Sequence, residues 1–231
     1  MLIVNKRPFY TGLVMAVGFA VVLVLMFMPV LDGHTPLQAA DDLFNSVSKD
    51  SSYYIPSLRE HADAHSNDQL DMRLTMPDAE AASQAAAVLT ASGAQATATG
   101  AVVAVKGSLG QLLGAALDDA DVAFKNSKEA RGLGARVTMF AWWNTLKQVY
   151  KQLRLTSRFE QASAVEEVVS KGVEVSYNFY GIMPRPVAAN VLILTAALIF
   201  YLIYTMWWGY SILWLCEGIG LQMKSAHKRE H

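Results

Sequence analysis

The sequence predicts a membrane protein in which two transmembrane helices flank an α+β extracytoplasmic domain, a small βαββα sheet followed by a helical hairpin. Three observations lead there. Two long stretches near the ends carry no charged side chain, basic residues lie on the outer flank of both, and the residues between them switch between strand and helix periods.

Between Arg7 and Asp32 there are 24 uncharged residues. As a helix they cover about 36 Å, enough for a hydrocarbon core of about 30 Å. Lys6 and Arg7 precede this run, and no basic residue follows until Lys49, so the positive-inside rule puts the N-terminus in the cytoplasm. A signal peptide cut near Leu37-Gln38-Ala39 or Gln38-Ala39-Ala40 is the competing reading. It is disfavoured because the apolar run is about twice the usual length of a signal core. From Arg185 to Glu217 there are 31 uncharged residues, too long for one perpendicular crossing. The expected resolution is a span ending at an aromatic belt of Trp207, Trp208 and Tyr210, with Ser211 to Met223 running along the interface. Lys224, Lys228 and Arg229 then place the C-terminus in the cytoplasm as well.

The middle of the chain is read by period. Leu37, Ala40, Leu43, Phe44 and Val47 predict a short amphipathic helix over 36–48, and a second short helix covers 57–65. Leu70, Met72, Leu74 and Met76 alternate with polar residues, as in a half-buried strand. Pro77-Asp78 opens an alanine-rich helix that Gly93 stops; strands at 95–99 and 101–106 turn near Gly100; Ser108 and Gln111 cap a helix to about Phe124. Gly132-Leu133-Gly134 marks a joint. Beyond it Met139, Trp142, Trp143, Leu146, Val149, Tyr150 and Leu153 form an apolar stripe. A second helix follows, carrying Phe159, Ala162, Val165, Val169, Val173, Ser176 and Tyr180. The expected boundaries are a cytoplasmic tail at 1–8, a first transmembrane helix at 9–31, the α+β domain at 32–131, the hairpin at 132–183, a second transmembrane helix at 184–210, and an interfacial segment with cytoplasmic tail at 211–231.

Several functional classes are excluded by composition. A net charge of −1 gives no basic surface for nucleic acid. The single cysteine, Cys216, excludes an internal disulfide and any multi-cysteine metal motif. No nucleophile elbow, phosphate-binding glycine pattern or cofactor motif occurs, so no enzyme activity and no cofactor are expected. His61 and His65, four residues apart on a helix, are the weak metal candidates, and they lack a third ligand on their face. Asp118, Asp119 and Asp121 crowd the end of a helix where negative charge is unfavourable, which points to a cation or to basic neighbours.

Charge also divides the outer region. Residues 32–121 hold 13 acidic and 4 basic side chains, whereas 122–185 hold 5 acidic and 10 basic. The two halves attract each other within the monomer, or the basic hairpin meets anionic headgroups or an acidic partner. The second case makes Trp142, Trp143, Lys147, Lys151, Arg154 and Arg158 the candidate interaction residues. In the spans, Gly12, Ala16 and Ala20 fall four apart, with Thr205 and Gly209 as the counterpart, a spacing that lets helix backbones approach. Short cytoplasmic tails leave no room for an output domain. The expected function is therefore an accessory or assembly subunit of a membrane protein complex, with membrane lipids and other subunits or self-association as partners. The alternative is an anchored ligand- or metal-binding module.

Overall fold

The structure, a computed structural model, describes residues 3–127, 129–130 and 133–221. Gly132 of the expected joint, Met223 of the expected interfacial segment and the cluster Lys224, Lys228 and Arg229 lie outside the described residues. The chain forms two compact units. One comprises the residues through Phe44 together with those from Arg185 onward; the other is Asn45–Pro184.

The first unit is built on two helices, α1 (Lys6–Met26) and a C-terminal helix (Val187–Gly218), both long and apolar enough to cross a membrane. They pack antiparallel. The N–H groups of Val4 and Asn5 both donate to the Gly218 carbonyl at 2.9 Å, which satisfies a helix end that would otherwise carry unpaired acceptors. Further along, the Trp207 indole N–H donates to the Met15 carbonyl at 3.0 Å, and Phe19 stacks on Tyr204 at 4.2 Å between centroids. Gly12 and Gly218 set the closeness of the pair. A Cβ on Gly12 would lie 2.7 Å from the Leu215 nitrogen, and one on Gly218 would lie 2.6 Å from the Phe9 Cα.

Three expectations for the spans are corrected. The first helix stops at Met26 rather than 31, because Pro29 excludes helical geometry just before it and Asp32 and Gly33 take positive φ in a tight turn. The second does not break near Tyr210 to lie along an interface; it continues unbroken for 32 residues, about 48 Å. The small-residue pairing also has different counterparts. Gly12 is buried, but Ala16 is only half-buried and Ala20 is exposed. Thr205 turns its hydroxyl back onto its own helix and a Cβ on Gly209 would meet no neighbouring element within 4 Å, so Tyr204, Trp207, Ser211, Leu215 and Gly218 make the seam instead.

The link between the units starts with α2 (Pro36–Ser51), opened by a capping box in which Thr35 and Gln38 exchange hydrogen bonds of 2.9 and 3.1 Å. Its buried side is Leu43, Ser46 and Lys49, rotated from the expected one; Leu37 and Phe44 are exposed.

In the second unit, α3 (Ile55–Asp63) precedes β1 (Gln69–Thr75), α4 (Ala79–Ala91), β2 (Gln95–Thr99), β3 (Val102–Ser108) and α5 (Leu109–Phe124), the expected βαββα order. Asp78 caps α4 by accepting from the Ala81 N–H at 2.7 Å, and Ser108 caps α5. The sheet is antiparallel in the order β1-β3-β2, with Leu74 opposite Val103 and Met72 opposite Val105. One face of it is buried, through Leu70, Leu74, Val103 and Val105; on the other, Asp71, Arg73, Ala104, Lys106 and Thr97 are exposed.

A two-residue ladder, β4 (Glu129–Ala130) with β5 (Leu133–Gly134), leads into the hairpin. Its first limb is α6 (Ala135–Leu155). Its second runs through α7 (Phe159–Glu167), a π-helical turn (Val168–Val173) and α8 (Glu174–Asn178), and the C-terminal helix is then α9. The π turn was not anticipated. Near its C-terminal end Gly172 lets it press on α5 and α3, since a Cβ there would lie 3.0 Å from Leu117 Cδ2 and 3.4 Å from Leu58 Cδ1. Sheet, α4, α5 and hairpin share one hydrophobic core.

Candidate functional site

The apolar stripe of α6 sends Met139, Trp142, Leu146, Val149 and Leu153 into the core. One position round the helix stand Phe140, Trp143 and Lys147, which face outward beside α8. Phe140 is 50% exposed and stacks on Trp143, with centroids 5.9 Å apart and planes within 13°. The Trp143 indole N–H donates to Glu174 Oε1 at 2.7 Å, and Lys147 Nζ sits 3.9 Å over the indole ring. Phe140, Trp143 and Glu174, together with Met139, Val173 and Tyr177, line an apolar groove of about 310 Å³. A second depression of about 410 Å³ shares Phe140 and Tyr177 and adds Arg136, Val137, Asp78 and Glu80. Arg136 lies 5.8 Å from the Tyr177 ring and 5.9 Å from that of Tyr180, a cation–π arrangement. The π turn matters here, because its wider winding resets the phase of the limb and brings Glu174 and Tyr177 to the groove side.

The other candidate residues fall in different places. Trp142 does not reach a surface: it is fully buried and its indole N–H donates to Asp119 Oδ2 at 2.7 Å, which corrects its assignment as an interaction residue. Adjacent helix positions point about 100° apart, so of the two tryptophans only Trp143 can face out. The basic stripe is divided. Lys147 lies over the Trp143 ring beside the groove, Lys151 is exposed, Arg154 donates to the Tyr150 hydroxyl at 3.0 Å, and Arg158 donates to the Gln69 carbonyl at 3.1 Å.

His61 and His65 are each engaged by a separate carboxylate. His61 Nδ1 lies 3.0 Å from Glu167 Oε2, and His65 Nδ1 lies 2.7 Å from Asp68 Oδ2. Among the described residues no three or more His, Cys, Asp or Glu side chains gather as a metal site. The hydrogen bond from His65 holds the Asp68 carboxyl below its ordinary value, and Gln161 adds to it. Glu167 is likewise lowered, by Lys171 first and then His61.

The three aspartates of α5 take three different partners. Asp118 pairs with Arg59, Asp119 with Trp142, and Asp121 with the Tyr53 hydroxyl and Lys125. Burial alone would push the Asp121 carboxyl up, but the bonds from Lys125 and Tyr53 outweigh it and the net shift is downward.

Sequence reasoning missed Arg136, Phe140, Glu174 and Tyr177. The available signal was an aromatic out of phase: Tyr177 breaks the period of Val169, Val173, Ser176 and Tyr180. Lys49 was missed too. It is 1% exposed, and its ammonium donates to Asn126 Oδ1 at 3.0 Å and to the carbonyls of Phe179 and Ile182 at 3.0 and 2.7 Å. Burial lowers its pKa. Asn126, in turn, holds a positive φ of 61° and accepts from the Gly181 N–H, so this knot fixes the end of the hairpin.

The chain matches no known protein-family model, and neither a curated protein nor a solved structure is significantly similar to it.

Proposed function

We propose that this chain is a non-enzymatic accessory or assembly subunit of a membrane protein complex. In this reading α1 and α9 span the membrane, both termini are cytoplasmic, and the domain between them docks a partner protein outside the cytoplasm. The observation that carries the docking is the groove of Phe140, Trp143 and Tyr177. Aromatic side chains flanked by Arg136 and Lys147 and open on the surface of the hairpin have the composition of an interaction hot spot. The membrane part rests on the apolar, outward-facing sides of α1 and α9, which water solvates poorly. The orientation rests on Lys6, Arg7 and the basic C-terminal residues.

The test is photo-cross-linking from position 140 in native membranes, followed by recovery of the complex in mild detergent. A discrete adduct with a membrane protein, lost together with co-purification when Tyr177→Asp is added, is the expected result. Quantitative recovery of the chain alone, with no adduct, overturns the reading.

A further inference from the structure

The three-stranded sheet has two edges, and the fold treats them differently. The β1 edge carries Asp71 and Arg73, and the Arg158 guanidinium donates to its Gln69 carbonyl at 3.1 Å. The β2 edge reads Gln-Ala-Thr-Ala-Thr, with no charge and no proline, and it is the outermost strand of the sheet. Exposed edges are normally blunted by lysine, proline or a bulge. None is present here.

The neutrality extends beyond the strand. Residues 81–105 include the outer side of α4, all of β2 and most of β3, and hold no charged side chain, although residues 32–121 hold 13 acidic ones. Two copies that meet through one and the same patch of residues 32–121 elsewhere set carboxylate against carboxylate and repel each other. Along this stretch they do not.

The phase of the hairpin fixes what the edge offers. Gly100 and Ala101 form a two-residue turn with glycine first at φ 59°, so Thr99, Thr97 and Gln95 exchange bonds with Val102, Ala104 and Lys106. The Met76 N–H donating to the Ala101 carbonyl at 2.8 Å sets the same phase from the other side of β3. Ala96 and Ala98 therefore direct their N–H and C=O groups away from the sheet.

We infer that β2 pairs antiparallel with β2 of a second copy of this chain about a two-fold axis at Thr97, joining the two sheets into one of six strands. Ala96 then faces the partner copy's Ala98 and the reverse, giving four backbone hydrogen bonds. Thr97 meets its own symmetry mate as a non-hydrogen-bonded pair, with Cα atoms about 4.5 Å apart. The second copy is favoured over another strand for two reasons. A two-fold at Thr97 sets Ala96 against Ala98 on both sides, so each hydrogen-bonded pair of the self-contact joins two small neutral side chains. Its neutrality also removes the repulsion that only a like-charged partner would bring. The contact is short, so it relies on the membrane confinement proposed above to concentrate the copies.

The test is disulfide trapping in native membranes, with Thr97→Cys in a Cys216→Ala background. A separation of about 4.5 Å falls within disulfide geometry, so oxidation yields a homodimer. Thr99→Cys stays monomeric, because its mate lies more than about 13 Å away along the strand. Adding Ala98→Pro, which removes only an outward N–H, abolishes the Thr97 cross-link while circular dichroism stays unchanged; Thr97→Lys, which meets its own charge, abolishes the energy transfer that differently labelled parent copies show in native membranes. No cross-link at Thr97, equal cross-linking at Thr97 and Thr99, or an adduct with a different polypeptide overturns the pairing. Membrane fractionation of the same samples shows whether a negative result comes instead from a chain that is not in the membrane.

Discussion

Asp119 is 4% exposed and accepts the Trp142 indole N–H in the middle of the core. Trp142→Phe removes that donor from a buried carboxylate and leaves a void, and is expected to destabilise the fold by about 2–4 kcal/mol. Trp143→Phe, beside the open groove, should change stability by about 1 kcal/mol or less. Circular-dichroism melts of the full chain in detergent compare the two. A second residue-scale effect concerns acid. Asp68 and Glu167 are lowered from ordinary values of 3.8 and 4.5, so in the folded state each binds its proton less readily. Their contribution is complete above those values and is lost as pH falls through the lowered ones. Weakening by acid should begin near pH 4.5 and deepen below 3.8. Asp68→Asn should flatten the lower part of the profile in unfolding titrations across that window.

At the scale of elements, the π turn is the least ordinary part of the hairpin. Gly172→Ala asks Leu117 to yield a few tenths of an ångström, and the better helix propensity of alanine, up to about 1 kcal/mol, offsets it. Gly172→Val has no such compensation; overpacking should cost about 1–3 kcal/mol. Chemical denaturation of the two variants checks this. The turn left no trace in composition, since it inserts one residue into a helical pattern that stays apolar on one side. By contrast β1, α4 and α5 were legible: Leu70 to Met76 alternate strictly, and Asp78 and Ser108 announce the helices by their caps. The groove was half legible. Trp143 and Lys147 could be picked from the stripe, but which of two adjacent tryptophans faces the core depends on where Asp119 lies. In α9 the seam was missed by one helix position, because an all-apolar helix has no polar side to reveal its phase.

For the molecule as a whole, the pairing of α1 with α9 depends on two glycines. Gly12→Val and Gly218→Val push side chains into backbone atoms, which cannot move aside, and should lower the thermal midpoint in mild detergent. Gly209→Val, with nothing within 4 Å, should not. The seam also fixes how the helices are staggered. Gly18 meets Trp207, which sets Met26 opposite the turn around Ile199 and leaves Val187 to Leu198 running past the end of α1. That overhang is about 18 Å long. To sink α9 wholly into a hydrocarbon layer of about 30 Å would take a tilt of about 50°, outside the range of about 0–40° found for membrane helices. Leaning alone therefore cannot take in the whole helix, and Leu192 of the overhang is 85% exposed. In the proposed reading, with α9 crossing the bilayer, thickness becomes a physical variable: a thick membrane would swallow the overhang, and a thin one would leave an apolar collar at the headgroups, open to another helix.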